Sequence, residues 1–156
     1  MRHATRWRPS PAVGSAGRAV ADGRLDVPPL ADIDPADWGL IVAARHNMLL
    51  YGRRFTLEAI VAALRPHLRR PIYRWSACSG RPLPRRSTGT VVLENVGACS
   101  EAEQQSLLAW LNGVDPQVQV VSTTDQLLFD RVKRGLFRVD LYYHLNVVYL
   151  DLSSSA

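Results

Sequence analysis

The sequence predicts a layered α/β domain built on a parallel sheet. Three apolar runs, Thr90–Leu93, Val118–Thr123 and Asn146–Leu150, are separated by stretches of helical periodicity. Strands buried on both faces read as unbroken apolar runs of this kind. Upstream, Asn47-Met-Leu-Leu-Tyr-Gly52 ends an apolar run in glycine and leads into the helical pattern Leu57–Leu64. That strand, glycine turn and helix have the layout of a phosphate-binding loop.

A chain of 156 residues is one domain's worth, and at this size about 70% of the unfolded surface can be buried without covalent staples. Hydrophobic residues at 47% and charged residues at 21% agree with a globular protein. Nineteen basic against fourteen acidic residues give a net charge of +5, the excess being arginine in the first eighteen residues and in Arg65–Arg86. Such clusters either meet phosphates or anionic lipids or stand as solvated faces. Cys78 and Cys99 have neither Cys-x-x-Cys spacing nor a histidine ladder beside them, so neither a disulfide framework nor a zinc site is expected, and reduced thiols in the cytoplasm are. No run reaches the ~20 apolar residues of a membrane span, and the arginine-rich start lacks the apolar core of a secretory signal.

Residues 1–31 mix Arg, Pro, Gly, Ala and Ser without apolar periodicity, which predicts a flexible basic arm. Trp7 between Arg6 and Arg8 has the chemistry to stack on a base or a partner. The ordered domain is expected over 32–152, with 153–156 as a tail. Asp34 and Pro35 suit the cap and first turn of a helix through Arg45. The helix 57–64 stops because Pro66 cannot continue it. Arg70–Trp75 reads as a second strand, and Ser76–Thr88 as a loop. After Thr90–Asn95, Ser100-Glu-Ala-Glu103 is a capping box opening a helix through Leu111, whose stripe of Gln104, Leu107, Leu108 and Leu111 packs a core. Asn112-Gly113 and Asp115-Pro116 turn the chain into Val118–Thr123. A helix over Gln126–Arg134 ends at Gly135, and Asn146–Asp151 makes the fifth strand.

Phe137, Arg138, Asp140, Leu141, Tyr142, Tyr143, Leu145, Asn146 and Val147 fall on the spacing Phe-Arg-x-Asp-Leu-Tyr-Tyr-Arg-Leu-Asn-Val. With Gly-Thr-Val-Val-Leu-Glu-Asn at Gly89–Asn95, this makes Gly89–Leu152 resemble the second half of the AAA+ ATPase domain of sigma-54-dependent transcription activators. The resemblance implies a three-layer P-loop NTPase-like fold with a five-stranded parallel sheet in the order 5-1-4-3-2. Fold does not carry activity with it.

Several positions depart from the family's pattern. Laid on the Walker A sequence Gly-x-x-Gly-x-Gly-Lys, Gly52 keeps the first glycine, whereas Phe55 and Leu57 replace the others and Glu58 replaces the lysine. A phosphate loop needs bare backbone amides and a cation. Side chains at 55 and 57 would enter that space, and a unit charge at about 4 Å is worth roughly 4 kcal/mol near a protein surface, with its sign reversed at Glu58. Arg53 or Arg54 either supplies a substitute cation or is simply exposed. In the Walker B position Glu94 stands for the metal-associated aspartate and Asn95 for the catalytic glutamate. A carboxylate at Glu94 still suits Mg²⁺, but Asn95 is no base. Both are also candidates for capping the loop before the next helix. Asp125 matches the sensor asparagine, or caps the following helix. Arg138 stands at the first trans-acting arginine and His144 at the second; Arg138 presented to a neighbour's nucleotide and Arg138 paired with Asp140 are equally open. The loop Gly-Ala-Phe-Thr-Gly-Ala that contacts sigma-54 has no counterpart between Trp75 and Gly89, and the chain stops before the family's helical lid.

The expectation is therefore a degenerate, non-catalytic domain of this family, a pseudoenzyme acting by protein contact in transcription regulation, cytoplasmic, with no cofactor and no metal. The alternative is a weak ATP-binding or ATPase domain that uses ATP with magnesium. The implied partner is another protein or a second copy. Contact with sigma-54 is not expected without the loop, no membrane is involved, and DNA is a candidate partner for the basic arm alone.

Overall fold

The structure, a computed structural model, describes residues 5–7, 35–43, 45–85 and 87–153. Six strands form one sheet: β1 (Thr5–Trp7), β2 (Met48–Tyr51), β3 (Ile72–Ser76), β4 (Thr90–Glu94), β5 (Gln119–Thr124) and β6 (Val148–Asp151). Their order is β1-β6-β2-β5-β4-β3, and every pairing is parallel. Leaving out β1, the sheet has the order 5-1-4-3-2 that the resemblance implied. The sixth strand is an addition. It comes from within the stretch read as an arm and pairs Thr5 with Val148 and Trp7 with Leu150. The remainder of that arm, the cap at Asp34 and the tail beyond Ser153 lie outside the described residues.

The helices are α1 (Pro35–Ala43), α2 (Arg54–Leu64), α3 (Glu101–Gly113), α4 (Leu128–Lys133) and α5 (Val139–Leu145). Strand side chains alternate between faces, and the core divides accordingly. Met48, Leu50, Val92, Val121 and Leu150 meet Leu57, Ile60, Val61 and Leu64 of α2. Leu49, Val91, Leu93 and Val120 meet Leu107 and Leu111 of α3, Leu128 of α4, and Leu141 and Leu145 of α5. Three layers result, with the central strands covered on both sides. β5 is buried at all six positions, although only Val120 and Val121 are apolar and Gln119, Ser122, Thr123 and Thr124 are polar.

Most boundaries shift by one or two residues from the sequence reading, and three shifts have a visible cause or consequence. Helix α2 begins three residues before Leu57, at Arg54. α4 is shorter than 126–134, because Thr124 closes a turn first: its hydroxyl accepts from the Gln126 amide at 3.1 Å. Strand β6 begins at Val148, since Asn146 is still the C-cap of α5. The capping box is present as expected, with Ser100 Oγ accepting from the Glu103 amide and Glu103 from the Ser100 amide. Gly89 is required by close approach: at φ +98° a Cβ there would lie 2.3 Å from the Pro71 carbonyl oxygen.

Candidate functional site

The carboxyl ends of β3, β4 and β5 and the first turns of α2 enclose a cleft of about 140 Å³, which is small beside the ~300–1,000 Å³ of ordinary ligand pockets. It gathers Arg54 and Glu58 from α2, Arg74 and Ser76 from β3, Glu94 and Asn95 from β4, and Thr123 to Asp125 from β5. Five of the residues singled out from sequence, Arg54, Glu58, Glu94, Asn95 and Asp125, therefore meet in one place. Gly52 and Arg53 adjoin it through the Gly52 amide, which donates to the Thr124 carbonyl at 3.2 Å.

The connection from β2 to α2 consists of Gly52 and Arg53 alone, because α2 opens at Arg54. Phe55 therefore sits inside a helix and points outward, 80% exposed, rather than into the cleft. Leu57 is buried against the sheet and forms part of the cleft wall. Gly52 has a reason of its own: a Cβ would meet the Leu152 side chain at 3.1 Å and its backbone at 3.3 Å. Packing against the chain leaving β6 accounts for this glycine without a phosphate.

Glu94 is engaged by Arg74, a residue that sequence reasoning passed over. Arg74 Nε donates to Glu94 Oε1 at 2.7 Å, and its Nη2 contacts the same oxygen. The register explains the pair: Arg74 lies opposite Val92, so Glu94 is its diagonal neighbour on the same face, within reach of a long side chain. A positively charged residue two positions before the strand's end was the available signal. Asn95 turns the chain in the left-handed region, φ 56° and ψ 47°, a conformation asparagine tolerates better than most residues. Its amide donates to Thr123 Oγ1 at 3.2 Å. Neither residue caps the following helical turn with its side chain. Asp125 is exposed and does not cap α4, which begins after Leu127 with no side-chain cap. Arg54 faces Glu58 at 3.7 Å, both largely exposed.

The lining thus sets Arg54 and Arg74 against Glu58, Glu94 and Asp125, and pairs four of these five with one another. A magnesium triphosphate needs an excess of positive donors and a loop of free amides. These residues do not fit it. Among the described residues, no cluster of three or more metal-ligating side chains occurs.

Arg138 and His144 occupy opposite ends of α5. The Arg138 amide is bound by Gln104 Oε1 at 2.9 Å, and its guanidinium takes both oxygens of Asp140, at 3.2 and 3.1 Å. That hydrogen bond raises the Arg138 pKa and holds the Asp140 carboxyl below its usual range. His144 lies near Asn47 and Val118, at the amino ends of the strands, where its carbonyl accepts from Asn47 Nδ2 at 3.2 Å. The two residues do not converge on the cleft lining. Gln104, read only as part of an apolar stripe, is 3% exposed and also donates to the carbonyls of Cys99 and Leu136, both at 3.1 Å.

Residues 82–151 match the Sigma-54 interaction domain family. Among curated proteins, the HTH-type transcriptional regulatory protein TyrR of Citrobacter braakii is 39% identical over 75 residues, taking in 41% of this chain and 15% of that protein. TyrR of Salmonella typhimurium is 40% identical over the same length and coverage. The chain thus spans about 15% of the length of the curated relatives it matches. Among solved structures, NtrX from Brucella abortus in complex with ATP superposes with a TM-score of 0.60 at 19% identity, over 73% of this chain and 33% of that one. The ADP complex of the same protein gives 0.62, over 72% and 33%. At that identity the likeness speaks for the fold.

Proposed function

Starting from a chain whose residues 82–151 carry a sigma-54 interaction domain on an AAA+ sheet, we propose that it works without nucleotide hydrolysis, as a protein-contact module in transcriptional regulation. One observation carries this reading. The acid at the Walker B position, Glu94, is tied to Arg74, while only Gly52 and Arg53 join β2 to α2. A phosphate would meet no cradle of amides there, and both cations of the lining, Arg54 and Arg74, already face carboxylates. A contact role is supported by the surface of α4, α5 and their connection, where Phe129, Leu136, Val139 and Tyr143 are each more than half exposed. Within it Tyr142 is in ring contact with both Phe129 and Tyr143, which joins α4 to α5 at this surface. Contiguous exposed apolar area of this kind marks interaction sites.

In this reading the partner is another protein or a second copy, contact with sigma-54 is not made, and residues 1–31 are a basic segment attached to the sheet through Thr5–Trp7. The chain works in the cytoplasm with neither ATP nor magnesium. Its regulatory setting is supported by likeness to TyrR. Among the described residues, no helix is long and apolar enough to cross a membrane.

Titration with a fluorescent ATP analogue, with and without Mg²⁺, tests the loss of nucleotide binding. No saturable signal is expected; saturable binding that requires Mg²⁺ would overturn the reading in favour of a weak ATPase. Size-exclusion chromatography with light scattering tests the contact role. A strict monomer that retains no partner in a pull-down argues against it, even if nucleotide fails to bind.

A further inference from the structure

The turn after β3 lays Cys78 over the peptide that enters α3. Cys78 Sγ lies 3.6 Å from the Ala98 carbonyl oxygen, which places it within roughly 6 Å of the Cys99 Cα by covalent geometry. One carboxylate clamps the two segments together: Glu103 Oε1 accepts from the Cys78 amide and Oε2 from the Ser100 amide, each at 2.8 Å. Cys78 is exposed and held at φ +63°, in the left-handed region. Such conformations persist where the surroundings over-determine them, and they concentrate at working sites. Cys99 is 3% exposed. Two cysteines 21 positions apart, unremarkable in sequence, thus become neighbours through the β3–β4–α3 geometry.

We propose that Cys78 and Cys99 close an intramolecular disulfide when the chain meets a peroxide, tying the β3 turn to the start of α3. The steps balance without any other reagent. The Cys78 thiolate attacks one peroxide oxygen, the O–O bond breaks, and the second oxygen leaves as water after protonation; Cys78 is now a sulfenic acid. The Cys99 sulfur then attacks Cys78 Sγ, the S–O bond breaks, a second water leaves, and the S–S bond forms. Two thiols lose two electrons, and the peroxide gains them. The order follows from access, Cys78 being exposed and Cys99 buried. Burial above all, then Glu103 and Cys78, push the Cys99 thiol up to about 12, so the exposed sulfur reacts first and the buried one resolves it. The bond would also fix a wall of the cleft. Ser76 lines it two residues before Cys78, and the Ala77 amide donates to the Glu94 carbonyl at 3.1 Å.

The test treats the reduced full chain with hydrogen peroxide, then reads intact mass, thiol labelling after unfolding, and a non-reducing peptide map. The expected result is loss of two hydrogens from a single chain, both thiols protected together, Cys78 and Cys99 in one linked peptide, and reversal by dithiothreitol. The oxidised chain should also unfold several degrees higher than the reduced one. Cys78→Ser, a substitution at an exposed position, should leave Cys99 fully labellable after the same treatment. Oxygen added at Cys78 while Cys99 stays labellable, or linkage only between chains, overturns the proposal.

Discussion

Gln104 and the Arg74–Glu94 pair are both polar features between elements of the same sheet and its helices, yet they are built differently. Gln104 is almost fully buried and meets two carbonyls and one amide, holding the entry to α5 against α3. Arg74 and Glu94 stand partly in water, side chains 55% and 30% exposed, and each serves chiefly to neutralise the other. The first arrangement fixes the segment that most resembles the sigma-54 activators. The second leaves a cleft in which both basic side chains are paired and one acid, Asp125, has no ion pair among the described residues. The buried amide fixes backbone that water cannot serve, whereas the exposed pair fixes little beyond its own charges.

That contrast breaks most severely if the α5 packing goes. Leu141→Ala, at a side chain with no exposure, should cost roughly 2–5 kcal/mol, measured by urea unfolding. Gln104→Leu should follow at about 2–3 kcal/mol, because it strands buried carbonyls and an amide rather than merely deleting a bond. A smaller effect separates the clamp from the cleft by pH. The amides of Ser100 and then Cys78 hold Glu103 below its ordinary value of 4.5. Its contribution is thus complete above 4.5 and fades as pH falls through the folded-state value. Glu103→Gln should remove that fading, so the stability gap between wild type and variant narrows below 4.5. Arg74→Ala should change stability by no more than about 1 kcal/mol. Least of all is expected from Glu58→Lys. Restoring the missing cation should yield no Mg²⁺-dependent nucleotide binding, since the two-residue link from β2 to α2 still has no loop to close; a gain would show that charge alone had been lacking.

The sheet was readable in the sequence because each central strand is covered on both faces, which leaves the apolar run Val91–Leu93 in β4 and the β-branched run Val120, Val121, Thr123, Thr124 in β5. The capping box was readable because it is local, four residues answering one another. Cleft membership was half readable. Glu94, Asn95 and Asp125 end strands and fall together wherever those strands lie side by side. Arg74 showed only as a charge near a strand's end; its partner depends on the β3–β4 register, which no local pattern reveals. The helix start was missed for a related reason: Phe55 breaks the apolar periodicity by facing water, so the pattern seemed to begin at Leu57. Gln104 was read as one more core position because a buried amide has the same spacing as a leucine, and two of its three partners, Leu136 and Arg138, are distant in sequence.

Strand β1 runs along the outer side of β6, Thr5 beside Val148 and Trp7 beside Leu150. A truncation that removes residues 1–31 to probe the basic arm would also strip that neighbour away, and β6 would then offer raw backbone donors and acceptors to any passing chain. Loss of DNA binding in such a fragment would be confounded by self-association. Neutralising Arg2, Arg6 and Arg8 while keeping the backbone separates charge from edge protection.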